Sequence, residues 1–220
     1  MVLLKARTFS STYSDKIMTG SNLREISAMS ERIVRSPAER EALAEEAWQR
    51  ALDYELEFGC CPQCVLSVVQ ELIGGVSDEL IKASHGLSGG GALEGKGTCG
   101  ALSGGLIALS TRTGRDRDKL HKGRGMKNFQ IGHELAQAFA REFGGYTCED
   151  LQKAFTGRTY DLWKAEEYKA FSEARGLKCA IATAWVTRWV VRRLLEDEAR
   201  ARAARPRDAK EERTPATERA

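Results

Sequence analysis

The sequence predicts an all-α domain, and three observations carry that prediction. Apolar residues recur three and four positions apart in one segment after another. Those segments open on capping residues or proline and close on glycine. Nowhere does a run alternate apolar with polar residues as a half-buried strand would, and no internal repeat is visible. At 220 residues, 42% hydrophobic and 30% charged, the chain suits one compact helical bundle with tails. We expect the domain over residues 36–196, an irregular arm over 1–35 rich in Ser, Thr and Met, and a charged tail over 197–220, a frayed helix or disordered.

Taken in order, Ser36-Pro37-Ala38-Glu39 is a helix start: Ser36 caps, Pro37 occupies the first turn and Glu39 completes a capping box. This helix is expected to run to about Phe58, with Ala42, Leu43, Ala47, Leu52 and Leu56 as its buried stripe, and Gly59 ends it. Cys60-Cys61-Pro62-Gln63-Cys64 opens a second helix, largely buried through Val65, Leu66, Val68, Val69, Leu72 and Ile73, and stopped by Gly74-Gly75. A short helix over 78–85 follows Ser77.

Residues 89–105, GGGALEGKGTCGALSGG, are the least ordinary stretch. Here a glycine-rich loop gives way at Cys99 to a central helix reaching about Thr113. Gly100, Gly104 and Ala108 share one face of it, leaving nearly bare backbone against which another helix or a cluster can press. Residues 114–125 form a charged surface loop. An amphipathic helix over 128–143 turns Ile131, Leu135, Ala138 and Phe139 inward, Thr147 caps a short helix at Cys148, and another over 163–174 ends at Gly176. The last long helix begins near Cys179. Trp163, Trp185 and Trp189 read as core or interface anchors.

Thirty-four basic against 31 acidic residues give a net charge of +3, which provides no reason to expect a nucleic-acid partner. Met1-Val2-Leu3-Leu4 is too brief for a signal peptide, and no apolar run approaches the ~18 residues that membrane insertion needs. The expected setting is cytoplasmic, where cysteines are more often catalytic or metal-binding than bridged. There are six: Cys60, Cys61, Cys64, Cys99, Cys148 and Cys179. The three histidines, His85, His121 and His133, are not at ligand spacing. Gly90 to Thr98 comes within one residue of a phosphate-binding loop, but Gly97 stands where Ser or Thr must follow the Lys and no strand precedes it. No nucleotide is expected.

Cys61, Cys99, Cys148 and Cys179 each fall at or beside the first turn of a different helix. Helix N-termini carry unpaired N–H groups and partial positive charge, which lower a thiol's pKa. If these ends meet, they hold a cluster of stabilised thiolates; the alternative is four independent core residues.

These motifs resemble the C-GCAxxG-C-C family of redox-active proteins. Cys61-Pro62-Gln63-Cys64-Val65-Leu66 is similar to its first element, and Gly97-Thr98-Cys99-Gly100-Ala101-Leu102-Ser103-Gly104 to its central motif, with Cys-Gly-Ala in place of Gly-Cys-Ala. Tyr146-Thr147-Cys148-Glu149-Asp150-Leu151 resembles the third, and Cys179 the fourth; the likeness covers 58 to about 195. It implies a helical protein with a cysteine-dependent redox or iron–sulfur role. Cys60 and Cys64 are thiols beyond the four-cysteine pattern.

Two chemistries fit the cysteines. In the first, Cys61, Cys99, Cys148 and Cys179 ligate an iron–sulfur cluster for electron transfer, and backbone at Gly97 and Gly100 donates N–H groups to it. In the second, Cys61 and Cys64 cycle without metal between dithiol and disulfide. The first is preferred, since the βαβ setting usual for the second is absent. A third reading is a non-enzymatic binding or scaffold protein held by structural zinc, although only one close cysteine pair exists for it. Haem is not expected, because Val65 follows Cys61-Pro62-Gln63-Cys64 where attachment requires His. A redox partner protein is expected, an acidic one being suited to the basic 112–127 segment, and the Trp-bearing last helix offers a homodimer face.

Overall fold

The computed structural model describes residues 35–204, in which eight α-helices and two short 3-10 turns are present and no strand. The expected N-terminal arm, save Arg35, and the end of the tail lie outside the described residues. No helix among those described is long and apolar enough to cross a membrane.

Helix α1 (Pro37–Glu57) starts with the capping box expected of Ser36 and Glu39. Its buried stripe is Ala44, Ala47, Ala51 and Glu55, which corrects the expected one. Ala42 is exposed, Leu56 is 52% exposed, and Leu43 and Leu52 only flank the core. The alanines win because α1 lies along the last helix, α8 (Lys178–Ala203), where small side chains let two backbones approach. Ion pairs Glu45–Arg188 (3.0 Å) and Glu41–Arg192 set the two helices antiparallel. Glu55 then carries the stripe's register into the interior.

Helix α2 (Cys61–Ile73) follows a turn in which Gly59 and Cys60 both adopt left-handed backbone. The short α3 (Asp78–Ser84) is capped by Ser77. The central helix α4 (Gly100–Thr113) packs against α2, α5 (Met126–Phe143) and α8. Its glycines explain how. A Cβ on Gly104 would lie 2.9 Å from the Cα and carbonyl oxygen of Pro62 in α2, and one on Gly105 would lie 2.6 Å from Val186 and 2.9 Å from Leu135. Gly104 thus seats α2, and Gly105 seats both α8 and α5. Gly104→Ala presses on backbone that cannot rotate away, so urea unfolding should show a loss of about 1–3 kcal/mol. Gly86→Ala, where the new methyl meets nothing within 4 Å, should stay within about 0.5 kcal/mol of wild type.

The 3-10 turn Arg117–Lys119 lies in the charged loop expected after α4, and α5 begins at Met126, slightly earlier than expected. Helix α6 (Cys148–Thr156) has Thr147 and Asp150 in a capping box, and α7 (Ala165–Arg175) ends at Gly176. Trp185 and Trp189 pack against the core, whereas Trp163 is 67% exposed and is no core residue. Helix α8 continues past Glu196 to Ala203, so residues 197–203 are helical where a frayed helix or a disordered tail was expected. Pairs one turn apart, Arg193–Asp197 at 3.0 Å and Arg200–Glu196 at 3.7 Å, support this polar extension.

Candidate functional site

Four helix beginnings meet at one cavity. Cys61 is the first residue of α2, Cys99 the N-cap of α4, Cys148 the first residue of α6 and Cys179 the second of α8. All four line a chamber of about 30 Å³, together with Gly89, Gly100 and Phe171 among others. None of the six cysteines is bridged. Cys99 is 6% exposed; Cys61, Cys148 and Cys179 are each partly exposed at the edge of densely packed protein.

Local sequence puts each thiol there. Glycine at position 100 admits Pro62 and Cys61, whose side-chain atoms would lie 2.9 and 3.3 Å from an added Cβ. Cys99 and Cys148 are locked together by an antiparallel bridge between Thr98 and Thr147. In it the Cys99 N–H donates to the Tyr146 carbonyl (2.8 Å) and the Cys148 N–H to the Gly97 carbonyl (3.1 Å), while the Glu149 N–H reaches the Gly95 carbonyl (2.8 Å). The glycine-rich loop is therefore a backbone clamp on the start of α6. Gly97 serves that clamp and does not line the chamber, whereas Gly100 does.

The expected depression of thiol pKa is corrected by burial. Desolvation of a charged sulfur outweighs the partial charge of a helix end here, and the thiols also repel one another as anions. Burial, with Cys148 and Cys179 nearby, pushes Cys99 up to about 12. Burial pushes Cys179 up to about 11, against the pull of Arg175. Cys61 is driven well above its ordinary value by burial and then by Glu55 and the other three thiols, and Cys148 is raised by burial. Cys64 stands apart: it does not line the chamber, its thiol donates to the Gly59 carbonyl (2.8 Å), and burial raises its pKa too. Cys60 lies on that outer side, accepting a hydrogen bond from Ser88 Oγ at 3.2 Å.

Sequence reasoning missed Glu55 and Arg175. Glu55 is 5% exposed and accepts from the Cys61 thiol through Oε1 at 3.4 Å, while its Oε2 has no partner. The Thr183 hydroxyl, also on the chamber wall, is likewise unpartnered. Arg175, at the end of α7, is the cation facing Cys179, Glu55 and Cys61. The available signal for Glu55 was an acid standing on the register of an alanine stripe. Burial raises its carboxyl pKa above 4.5. Keeping it charged therefore costs stability increasingly as pH climbs from its unfolded value. Glu55→Gln should stabilise the reduced protein by about 1–2 kcal/mol at pH 8, and the gain should vanish below about pH 4. Chemical denaturation at both pH values checks this.

A family model described as "Putative redox-active protein (C_GCAxxG_C_C)" matches residues 59–193, which span all six cysteines. No curated protein and no solved structure matches the chain.

Proposed function

We propose, from the premise that the chain belongs to the C-GCAxxG-C-C family of redox-active proteins, that the four-thiol chamber is its redox centre and holds an iron–sulfur cluster. The observation supporting this reading is that one cavity gathers a thiol from each of four helices. Four cysteines are the usual ligand set of such a cluster. A lone ion needs donors converging on one point at about 2.3 Å, and among the described residues no group of three or more side chains does so. Thiols arranged around a space, and not aimed at a point, suit a core of several atoms better. A volume of about 30 Å³ accommodates little more than a water or two, so loading has to be accompanied by outward movement of the thiol side chains.

Cys61, Cys99, Cys148 and Cys179 would be the ligands, and the cluster when bound would supply one-electron chemistry. The chain's own residues do the rest. Phe171, Leu151 and Ala182 keep water from the sulfurs. Backbone N–H groups of Ala101 and Leu102 at the start of α4 favour the Cys99 thiolate, and Arg175 favours that of Cys179. Raised thiol pKa values mean that metal must displace protons the chamber holds tightly, so loading should improve with pH. Electrons come from a partner protein in this reading. The metal-free Cys61–Cys64 couple is less well supported, because Cys64 is turned out of the chamber and neither thiol is poised as a thiolate.

Anaerobic reconstitution with ferrous iron and sulfide tests the proposal. Wild type should turn brown and bleach on reduction. Serine at 61, 99, 148 or 179 should lower bound iron about tenfold or more, since loss of even an outer-shell partner costs 10–100-fold. Cys60→Ser and Cys64→Ser should load as wild type does. A colourless wild type, or equal loading by all six variants, would sink it.

A further inference from the structure

A second cavity adjoins the chamber, and none of the four thiols lines it. It is an open cleft of about 350 Å³ between the glycine-rich loop, the start of α6 and the segment 159–163. Its size falls at the lower end of small-molecule sites. Four charged residues line it. Glu149 is neutralised by Lys153 at 3.0 Å and Asp161 by Lys164 at 3.2 Å. Glu94 and Lys96 line it as well, and neither has an ion-pair partner among the described residues. Beside this free anion and free cation stands Trp163, its large ring 67% exposed at the rim. An indole held in solvent next to two unpaired opposite charges is a surface lacking its complement.

The cleft and the chamber share a wall. Gln152 is 1% exposed and lines the cleft, yet its Nε2 lies 3.6 Å from Cys148 Sγ, while its Oε1 accepts from the Tyr160 N–H at 2.7 Å. The Tyr160 ring, on the cleft side, meets Phe171 of the chamber with centroids 5.3 Å apart. Leu162, also on the cleft side, sits against Gly89 on the chamber side: a Cβ there would lie 3.3 Å from it. Anything that seats itself among residues 159–163 therefore presses on groups that touch the thiols.

We propose that this cleft binds a small zwitterion with an apolar body, an amino-acid-like ligand, and that Gln152 communicates its presence to Cys148. Lys96 takes the ligand's carboxylate, Glu94 its ammonium, and Trp163 covers the apolar part. Binding requires no metal, so it stands or falls separately from the cluster; the communication uses only the Cys148 thiol.

The test uses L-phenylalanine as the probe and the reduced, metal-free full chain. Calorimetry should show saturable binding, at least tenfold tighter than that of L-phenylalaninamide, which lacks the carboxylate, or of 3-phenylpropionate, which lacks the ammonium. Lys96→Ala should erase the preference over the amide and Glu94→Gln the preference over the propionate. Both positions are exposed, so folding is not at stake. Alkylation of Cys148, followed by peptide mass spectrometry, should change at least threefold at saturating probe while that of Cys60 does not. Absence of saturable binding, or affinities unmoved by both variants, overturns the site. Saturable binding with an unchanged Cys148 rate overturns the communication.

Discussion

Raising the pH of the reduced, metal-free protein from 7.5 to 10 should remove at least about 4 kcal/mol of stability through two of its thiols alone. In the unfolded chain a cysteine ionises near ~8.5. In the fold, burial holds Cys99 up to about 12 and Cys179 up to about 11. Both shifts are upward, so the folded state keeps protons that the unfolded state has begun to lose. Stability is then fully present below about pH 8.5 and falls as pH rises toward the folded values. At pH 10, about 1.5 above the unfolded value, each of these two thiols contributes a loss of roughly 2 kcal/mol. The figure is large against the 5–15 kcal/mol that holds a typical domain together. Urea midpoints at the two pH values measure it. A Cys99→Ala, Cys179→Ala double variant should lose that share of the fall and keep what Cys61, Cys64 and Cys148 contribute. A wild-type curve already flat over that interval would show that the thiols are not desolvated as described.

The second large effect is expected from Gly97→Ala. An added Cβ would lie 2.3 Å from the Gly90 carbonyl oxygen and 3.0 Å from its carbon, and backbone cannot swing aside as a side chain can. The loop would have to open, straining the hydrogen bond from the Gly97 N–H to that same oxygen (2.9 Å) and the one from the Cys148 N–H to the Gly97 carbonyl (3.1 Å). Overpacking of about 1–3 kcal/mol and a weakened clamp bond of about 1 kcal/mol give a loss of roughly 3 kcal/mol. Because the clamp aligns Cys148 with Cys99, iron loading should fall with stability. Normal loading in a stable Gly97→Ala protein would mean that the loop does not position the thiol. This gives Gly97 a structural task in the clamp.

Much of the fold could be read from local chemistry. Ser36 and Thr147 announced their helices because a hydroxyl followed three residues later by an acid satisfies orphaned N–H groups whatever the tertiary context. Gly104 announced a helix contact because an absent side chain has few other uses in a helix. What failed was whatever depends on the neighbour. The face that α1 buries was misread because its partner rewards small side chains over large ones, and nothing in α1 itself reveals that. At the site, the four helix-start cysteines were legible as a set. Their pKa values were not, since the helix end is local and the dielectric is collective. Glu55 and Arg175 were missed for the same reason: a Glu in a polar helix and an Arg before a Gly look like surface until α1, α7 and α8 bring them inward.

The order in which the thiols occur along the chain has a consequence for biosynthesis. Cys179 stands at the head of the last helix, and α1, the first described helix, packs along that same element. A nascent chain emerging from the ribosome therefore exposes three of the four thiols before the fourth exists and before α1 has the surface it rests on. Until the helix that carries Cys179 has been made, those sulfurs are open to the cell's oxidants and to stray metals. Only once that helix has emerged can it dock and close the set.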